Sequence, residues 1–183
     1  MGKFLVIEGL DGSGKSTQIQ MLRAHLKERQ VGHHYIHFPR TNEGIYGEMI
    51  ARFLRGEFGD VNAVNPYIVA LLYAGDRADA KEMIARWLTS GDAVIVDRYV
   101  YSNVAFQCAK VDSSRDKQEL RDWILDIEYK HNQIPMPDVS LYLNMPFDFI
   151  RRSLAKVRQG AAREYLLGKT DIHEASIDLQ KKV

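Results

Sequence analysis

Short apolar runs alternate with longer amphipathic stretches along this chain. The continuous apolar runs are residues 4–7, 35–38, 93–96 and 139–143. Each has the length of a strand and lacks the polar alternation of a strand with one exposed face. Helical patterns follow the runs, at residues 17–29, 66–89, 117–130 and 147–158. The pattern therefore predicts an α/β protein with a doubly wound parallel sheet and helices on both faces.

The domain organisation follows from the absence of internal repeats, low-complexity tracts and Pro/Gly-rich linkers. We therefore expect a single domain over residues 1–183. In residues 151–174 charges are dense, the apolar pattern weakens and two glycines interrupt it, which predicts a mobile flap. Residues 175–183 resemble the start of a helix with no strand after it.

Composition and charge exclude several classes of function. The chain has 25 Lys and Arg against 24 Asp and Glu, a net charge of +1, so it lacks the overall basic charge of nucleic-acid or membrane-binding proteins. The one cysteine, Cys108, cannot form an internal disulfide or a four-cysteine zinc site. No apolar stretch has the ~20 residues of a membrane helix, and no signal peptide is evident. We expect a cytoplasmic protein whose partners are neither nucleic acid nor membrane.

The strongest single motif lies between the first strand and the first helix. The sequence GLDGSGKS at residues 9–16 matches G-x-x-x-x-G-K-[ST] in the strand–loop–helix context that a phosphate loop requires. Glycines allow backbone N–H groups to surround a phosphate, the lysine reaches the outer phosphates, and the serine hydroxyl binds Mg²⁺. The alternative is a glycine-rich turn, which this context disfavours. The residues expected to bind ATP are Gly9, Asp11, Gly12, Ser13, Gly14, Lys15, Ser16 and Thr17.

A phosphate loop alone does not separate kinases from GTPases, motor ATPases or nucleotide sensors. Guanine recognition usually needs N-K-x-D late in the chain. The nearest match, GKTD at residues 168–171, lacks the asparagine and does not follow a strand. A GTPase is therefore disfavoured.

Acidic and basic residues end the predicted strands. Asp97 ends the third strand, where a Mg²⁺-organising carboxylate belongs, and Arg98 follows it. Arg40 follows the second strand, and Arg77 lies in the long helix that could cover the cleft. Each arginine taken alone has the alternative of a solvated surface residue. Arginines on neighbouring strand ends favour a second anionic ligand besides the nucleotide.

The sequence resembles the thymidylate kinases, a family of P-loop nucleoside monophosphate kinases. The resemblance runs from residue 3 to about residue 182 and includes IEGLDGSGKST, FPR, LLYAGDR, DRYVYSNVAFQ and PDVSLYLNMP. It implies direct in-line transfer of the γ-phosphoryl group of ATP to dTMP, which gives dTDP and ADP, with Mg²⁺ as the cofactor of ATP. It also implies a homodimer, which fits the surplus of apolar residues on the helix at 66–89.

The same resemblance implies roles for residues on the acceptor side. Arg40 and Arg98 would hold the 5′-phosphate, next to Phe38 of the FPR element. Asp11 would contact the sugar 3′-hydroxyl or the water shell of the metal. The residues implied around thymine and deoxyribose are Tyr73 stacking on the base, Arg77 at O4, Asn103 at the N3 edge with Gln107 nearby, and Phe106 below C2′. For Tyr73 and Phe106 the alternative is core packing.

Catalysis would depend on cations around the transferred phosphoryl group. The resemblance implies Lys15, Arg98 and a Mg²⁺ ion at Ser16 and Asp97. Members of the family use a further arginine in the phosphate loop or in the flap. Gly12 follows Asp11 here, so we expect the flap to provide it. The candidates are Arg151, Arg152, Arg158 and Arg163, of which Arg158 and Arg163 lie nearest the glycines.

Some alternatives remain open at this point. The protein could be a kinase for another nucleoside or nucleoside monophosphate, or a nucleotide-binding regulator that lost catalysis. The family continues with a further strand and helix that this sequence, ending at Val183, does not contain.

Overall fold

Four parallel strands form the centre of the protein. The computed structural model describes residues 1–154 and 161–183. The sheet has the order β2-β3-β1-β4 and every neighbouring pair is parallel, which confirms the predicted class. The strands are β1 (Phe4–Glu8), β2 (His33–His37), β3 (Ala93–Asp97) and β4 (Val139–Tyr142).

Helices cover both faces of the two central strands. Helix α1 (Lys15–Glu28) packs through Ile19 against Ile7 and Ile95. Helix α3 (Pro66–Thr89) packs on the other face. Its Ala80 and Ile84 share a core cluster with Val6, Val94 and Val96, which occupy alternate positions of the strands. Because successive side chains of a strand point to opposite faces, a strand covered on both sides needs apolar residues throughout.

The edge strand β4 differs from this expectation. All four of its residues are exposed, although the sequence pattern predicted a strand covered on both faces. A continuous apolar run therefore predicted the strand correctly but not its burial.

The sequence patterns missed two helices, α2 (Gly44–Leu54) and α4 (Val100–Cys108). Glycines interrupt the helical pattern of α2, and tertiary packing explains one of them. A Cβ atom at Gly47 would lie 2.1 Å from the carbonyl oxygen of Arg40, so only glycine permits this close approach.

The helix expected at residues 117–130 consists of two segments. Helix α5 (Ser114–Leu125) begins three residues earlier, where the Ser113 side chain accepts a hydrogen bond from the Asp116 amide. A π-helical turn, Asp126–His131, follows directly. Such turns change the direction in which side chains point and often occur at functional sites.

Among the residues that the structure describes, the C-terminal region contains three short α-helices and a 3₁₀ turn. They are α6 (Phe147–Leu154), a 3₁₀ turn (Ala161–Leu166), α7 (Ile172–Ala175) and α8 (Ile177–Lys182). The 3₁₀ turn packs on α2, where Arg55 Nη1 donates to the Tyr165 carbonyl oxygen at 2.7 Å. Arg158 lies outside the described residues, as does the side chain of Arg163. The mobility of the flap stays a prediction. None of the helices in the described ranges is both long enough and apolar enough to cross a membrane.

Candidate active site

The phosphate loop connects β1 to α1 at the carboxyl edge of the sheet. Gly9, Gly12 and Gly14 have φ values of 149°, 80° and 91°, which only glycine adopts without strain. Lys15 begins α1, and its Nζ atom donates to the carbonyl oxygens of Gly9 and Leu10, both at 3.0 Å. Burial and the nearby positive charge of Arg98 lower the pKa of Lys15 to about 8. A phosphate entering the loop would provide the negative charge that this buried ammonium lacks.

Asp97 lies at the end of β3 beside the loop. Its Oδ2 atom is 3.3 Å from His37 Nδ1, whereas its buried Oδ1 atom has no hydrogen-bond partner among the described residues. Burial raises the pKa of Asp97, but His37 and Lys15 outweigh burial and hold it below its ordinary value. The site therefore keeps an ionised carboxylate.

Asp97 and the hydroxyl of Ser16 line the same cavity and fit a Mg²⁺ ion. Magnesium prefers oxygen ligands and is usually held by one or two protein groups, nucleotide phosphates and waters. A cluster of three or more His, Cys, Asp or Glu residues that could hold a metal by themselves is not found in residues 1–154 and 161–183. The donor set thus suits an ion that arrives with a nucleotide.

Arg98 lies between the phosphate loop and helix α4. Its backbone has φ 66°, and its Nη2 atom donates to Asp11 Oδ1 at 2.9 Å while Nη1 donates to Ser102 Oγ at 3.1 Å. Burial acts to lower the pKa of Arg98, but Asp11 and Asp97 more than compensate, so the pKa is raised. The guanidinium group is therefore a fixed positive charge at the cavity wall.

Arg40 follows β2, as predicted, but its side chain turns towards α3. Nε and Nη2 donate to Asp76, to Oδ1 at 2.9 Å and to the carbonyl oxygen at 2.8 Å, and Nη1 donates to Glu43 Oε2 at 2.8 Å. Beside the phosphate loop lies a cavity whose walls are formed by described residues. Of the two strand-end arginines, Arg98 lines this cavity and Arg40 does not.

One cavity of about 780 Å³ joins the phosphate loop to the predicted acceptor residues. This volume is within the range of nucleotide and cofactor pockets. Its lining includes nearly all the predicted site residues with described side chains, namely Asp11, Gly12, Gly14, Lys15, Ser16, Thr17, Phe38, Tyr73, Arg77, Asp97, Arg98, Asn103, Phe106 and Gln107. Gly9 and the buried Ser13 belong to the loop itself. Arg151 and Arg152 lie on α6, where both interact with Asp148.

The acceptor side of the cavity contains an unpredicted ion pair. Arg77 is 2% exposed and binds the fully buried carboxylate of Glu128 through Nε and Nη2. Asn103 Nδ2 donates to the same carboxylate at 3.2 Å and to the Ala70 carbonyl oxygen at 3.1 Å. Gln107 is also buried, and its Oε1 atom accepts from Lys110 at 3.0 Å.

His173, on α7, was also missed by the sequence analysis. Its ring stacks on Phe106 with centroids 5.0 Å apart and lies parallel to Tyr73 at 6.5 Å. Asp171 fixes this short helix by accepting from the amides of residues 173 and 174, and the Tyr165 hydroxyl donates to Asp171 at 2.8 Å. The capping residue Asp171 was the available signal for a helix, but sequence could not show that the helix reaches the cavity.

The burial of His173 predicts a measurable dependence of stability on pH. Burial and the charge of Lys110 lower the pKa of His173 to about 3, against 6.5 in the unfolded chain. Between these values the unfolded state binds an extra proton, so stability falls as pH decreases below 6.5. From pH 7 to pH 5 we expect the wild type to lose about 2 kcal/mol more than His173→Gln.

Urea unfolding at the two pH values measures this difference. Asp171, whose pKa burial raises to about 6, contributes the opposite slope, but it does so in both proteins and cancels. His25→Gln, at an exposed position of α1, is the control and should follow the wild type. Equal losses for wild type and His173→Gln would contradict the prediction.

The parallel sheet, the phosphate loop after β1 and the acidic strand end beside it define a P-loop NTPase fold of the α/β class. Comparisons with known proteins identify the family. The family model for thymidylate kinase matches residues 7–166. The chain therefore belongs to the thymidylate kinase family.

Individual relatives agree with this assignment. Thymidylate kinase from Plasmodium falciparum is 34% identical over 145 residues, covering 79% of this chain and 62% of that protein. The enzyme from Mycobacterium tuberculosis is 30% identical over 179 residues, covering 97% and 80% respectively. The solved structure of thymidylate kinase from Candida albicans has a TM-score of 0.73 and 27% identity, covering 99% of this chain and 74% of that one.

Proposed function

We propose that this protein is an ATP-dependent thymidylate kinase that transfers the γ-phosphoryl group of ATP to dTMP. The observation that carries the proposal is the single cavity shared by the phosphate loop, Arg98 and the Arg77–Asn103 pair. A nucleotide sensor needs only the loop, whereas a phosphotransferase must hold two phosphorylated ligands with their phosphates adjacent. Membership of the thymidylate kinase family supports the same reaction.

The donor side uses residues that already lie together. Lys15 binds the outer phosphates of ATP, and the backbone amides of the loop surround them. Ser16 and Asp97 would hold Mg²⁺, which would neutralise phosphate charge. Arg98 faces the region where charge develops on the transferred group. No covalent intermediate is needed, because in-line transfer depends on positioning and on fixed positive charge.

The acceptor side binds a pyrimidine base that has a keto group at C4. Tyr73 stacks on the base, Arg77 donates to O4, Asn103 accepts from N3–H, and Phe106 lies below C2′, where a ribose hydroxyl would clash. Asp11 contacts the 3′-hydroxyl or the waters of the metal.

Arg40 completes the phosphate clamp if Nη1 exchanges Glu43 for the acceptor phosphate. The Glu43 side chain is 63% exposed, and an ion pair so open to water contributes little stability. The other two contacts, to Asp76, would hold the guanidinium group during this exchange.

Selectivity among bases follows from these contacts. Burial of the thymine methyl group contributes ~0.8 kcal/mol, which corresponds to about a fourfold preference over uracil. Cytosine presents an amino donor to Arg77, so a buried donor of Arg77 would stay unpaired. The cost in binding free energy is larger than the contribution of one methyl group. The pocket should therefore reject cytosine more strongly than uracil.

Two further features belong to the proposal. The additional catalytic arginine comes from the flap, from Arg158 or Arg163 rather than from Arg151 or Arg152 on the regular part of α6.

The protein is a homodimer that pairs through the first half of α3, where Ile68 and Leu71 are 54% and 42% exposed.

Coupled ADP release with a panel of acceptors tests the function. We expect rapid turnover of dTMP, turnover of dUMP within about tenfold of it, and much slower reaction of dCMP and dGMP. Turnover of thymidine in place of dTMP would indicate a nucleoside kinase. Binding of dTMP without ADP release would indicate a regulator instead of an enzyme.

A further inference from the structure

Glu128 is the least exposed charged group around the cavity wall. It lies in the π-helical turn Asp126–His131 and its side chain is 0% exposed. Transfer of a carboxylate from water to such a position is costly unless it is paired and fully hydrogen-bonded. A buried ion pair is weak evidence for stability, so its presence next to a ligand cavity calls for another explanation.

The geometry of the ion pair divides the guanidinium group of Arg77 into two parts. Nε lies 3.0 Å and 3.1 Å from the two oxygens of Glu128, and Nη2 also donates to the carboxylate. Within residues 1–154 and 161–183 the hydrogen bonds of Arg77 come from Nε and Nη2 and none comes from Nη1, and Arg77 lines the cavity. Glu128 therefore fixes one edge of the guanidinium group and leaves the Nη1 donor for a ligand.

The same carboxylate fixes the orientation of the Asn103 amide. Nδ2 donates both to Glu128 Oε1 and to the carbonyl oxygen of Ala70. The Oδ1 atom is buried and has no partner among the described residues, although Asn103 is 3% exposed and lines the cavity. A rotated amide would place Oδ1 against two acceptors, so the negative charge of Glu128 holds the acceptor of Asn103 available for a ligand.

We infer that Glu128 is a positioning residue that sets the hydrogen-bond pattern of the acceptor pocket, with Arg77 as donor and Asn103 as acceptor. This inference rests on the proposed function and names its source of base selectivity. A pyrimidine with N3–H beside a C4 carbonyl complements the pattern, whereas cytosine, with an acceptor at N3 beside an amino group, opposes it at both positions. Glu128 contacts no substrate and acts through Arg77 and Asn103.

The variant Glu128→Gln tests this role. Glutamine keeps the shape of the side chain, but its amide nitrogen can donate to Asn103 Oδ1 and so permits the rotated amide. We expect the ratio of Kd values for dCMP over dTMP, measured by calorimetry, to fall by at least about tenfold, while the KM for ATP stays unchanged. In an Asn103→Ala background the same substitution should change the ratio less than it does in the wild type, because the part of its effect that passes through Asn103 is absent.

Glu119→Gln is the matched control, since Glu119 lies on α5 and its side chain is 56% exposed.

A second variant, Glu128→Asp, tests the same role if Glu128→Gln does not fold. Glu128→Asp keeps the charge that Arg77 needs but withdraws the carboxylate by about one bond length from Asn103. We expect it to fold and to lower the ratio at least about threefold.

A role in charge balance alone predicts that Glu128→Asp keeps the wild-type ratio, and that outcome would overturn the inference. Calorimetry also distinguishes a failure of the proposed kinase function from a failure of the proposed role of Glu128. Wild-type protein that binds dTMP tightly without turnover refutes the kinase function but still allows the ratio to be measured. Wild-type protein that binds dTMP and dCMP equally well refutes the role of Glu128.

Discussion

Lys15→Ala should lower kcat by at least about 10³-fold without unfolding the protein. In the proposed function Lys15 reaches the outer phosphates, and the transferred phosphoryl group depends on fixed positive charge in its transition state. Its buried ammonium donates to two carbonyl oxygens of the loop, however, and burial together with the positive charge of Arg98 lowers its pKa to about 8, even though acidic groups lie nearby. Loss of the amine therefore removes a group that is costly to bury, and the free energy of unfolding should not decrease.

Steady-state turnover of dTMP and thermal unfolding without ligands measure these two effects. Lys27→Ala on the same helix is the control, because Lys27 is exposed and distant from the loop in sequence. A variant at position 15 that keeps more than about a tenth of the wild-type kcat would contradict the role of the loop in phosphoryl transfer.

Arg98→Ala should reduce kcat/KM for dTMP by about 10²-fold or more. Arg98 is held at the cavity wall by Asp11 and Ser102, and its side chain is 11% exposed, so its charge is weakly screened. A forked guanidinium group makes two charge-assisted hydrogen bonds to a phosphate dianion, and alanine makes neither. The affinity for ATP should change by less than about threefold.

Calorimetry with ATP and steady-state kinetics with dTMP separate the donor from the acceptor effect. Arg121→Ala, at an exposed position of α5 where Arg121 pairs with Asp122, is the control for loss of one positive charge. If Arg98→Ala left turnover largely intact, the acceptor would carry no phosphate and a nucleoside kinase would be favoured. Arg40→Ala, measured beside it, tests whether both strand-end arginines contribute.

The end of β3 carries a negative and a positive side chain, and the two point in different directions. Asp97 and Arg98 are adjacent in sequence, yet the left-handed backbone at Arg98 turns its side chain to Asp11, whereas Asp97 contacts His37. This arrangement suits the proposed roles, in which the carboxylate would serve the metal and the nucleotide and the guanidinium group would serve the acceptor. The two charges influence each other's pKa, yet each side chain makes its closest contact with a different residue.

The sequence by itself determined the parallel α/β class, the phosphate loop and the charged residues at the ends of β2 and β3. These features are local, since a glycine spacing or an apolar run fixes backbone geometry without reference to distant residues. The resemblance of their motifs also predicted that Arg77 and Asn103 lie in one binding site, and both line the cavity. The sequence did not predict α2, because the glycine that interrupts its pattern is required by a contact with Arg40.

Only the tertiary structure decided how these side chains are oriented. Arg40 turns to Asp76, which is 36 positions away, and Glu128 meets Arg77 over a separation of 51 positions. His173 reaches Phe106 from a short helix near the end of the chain. Such pairings depend on which helix packs on which face of the sheet, and burial then makes them strong because water no longer competes for the charged groups.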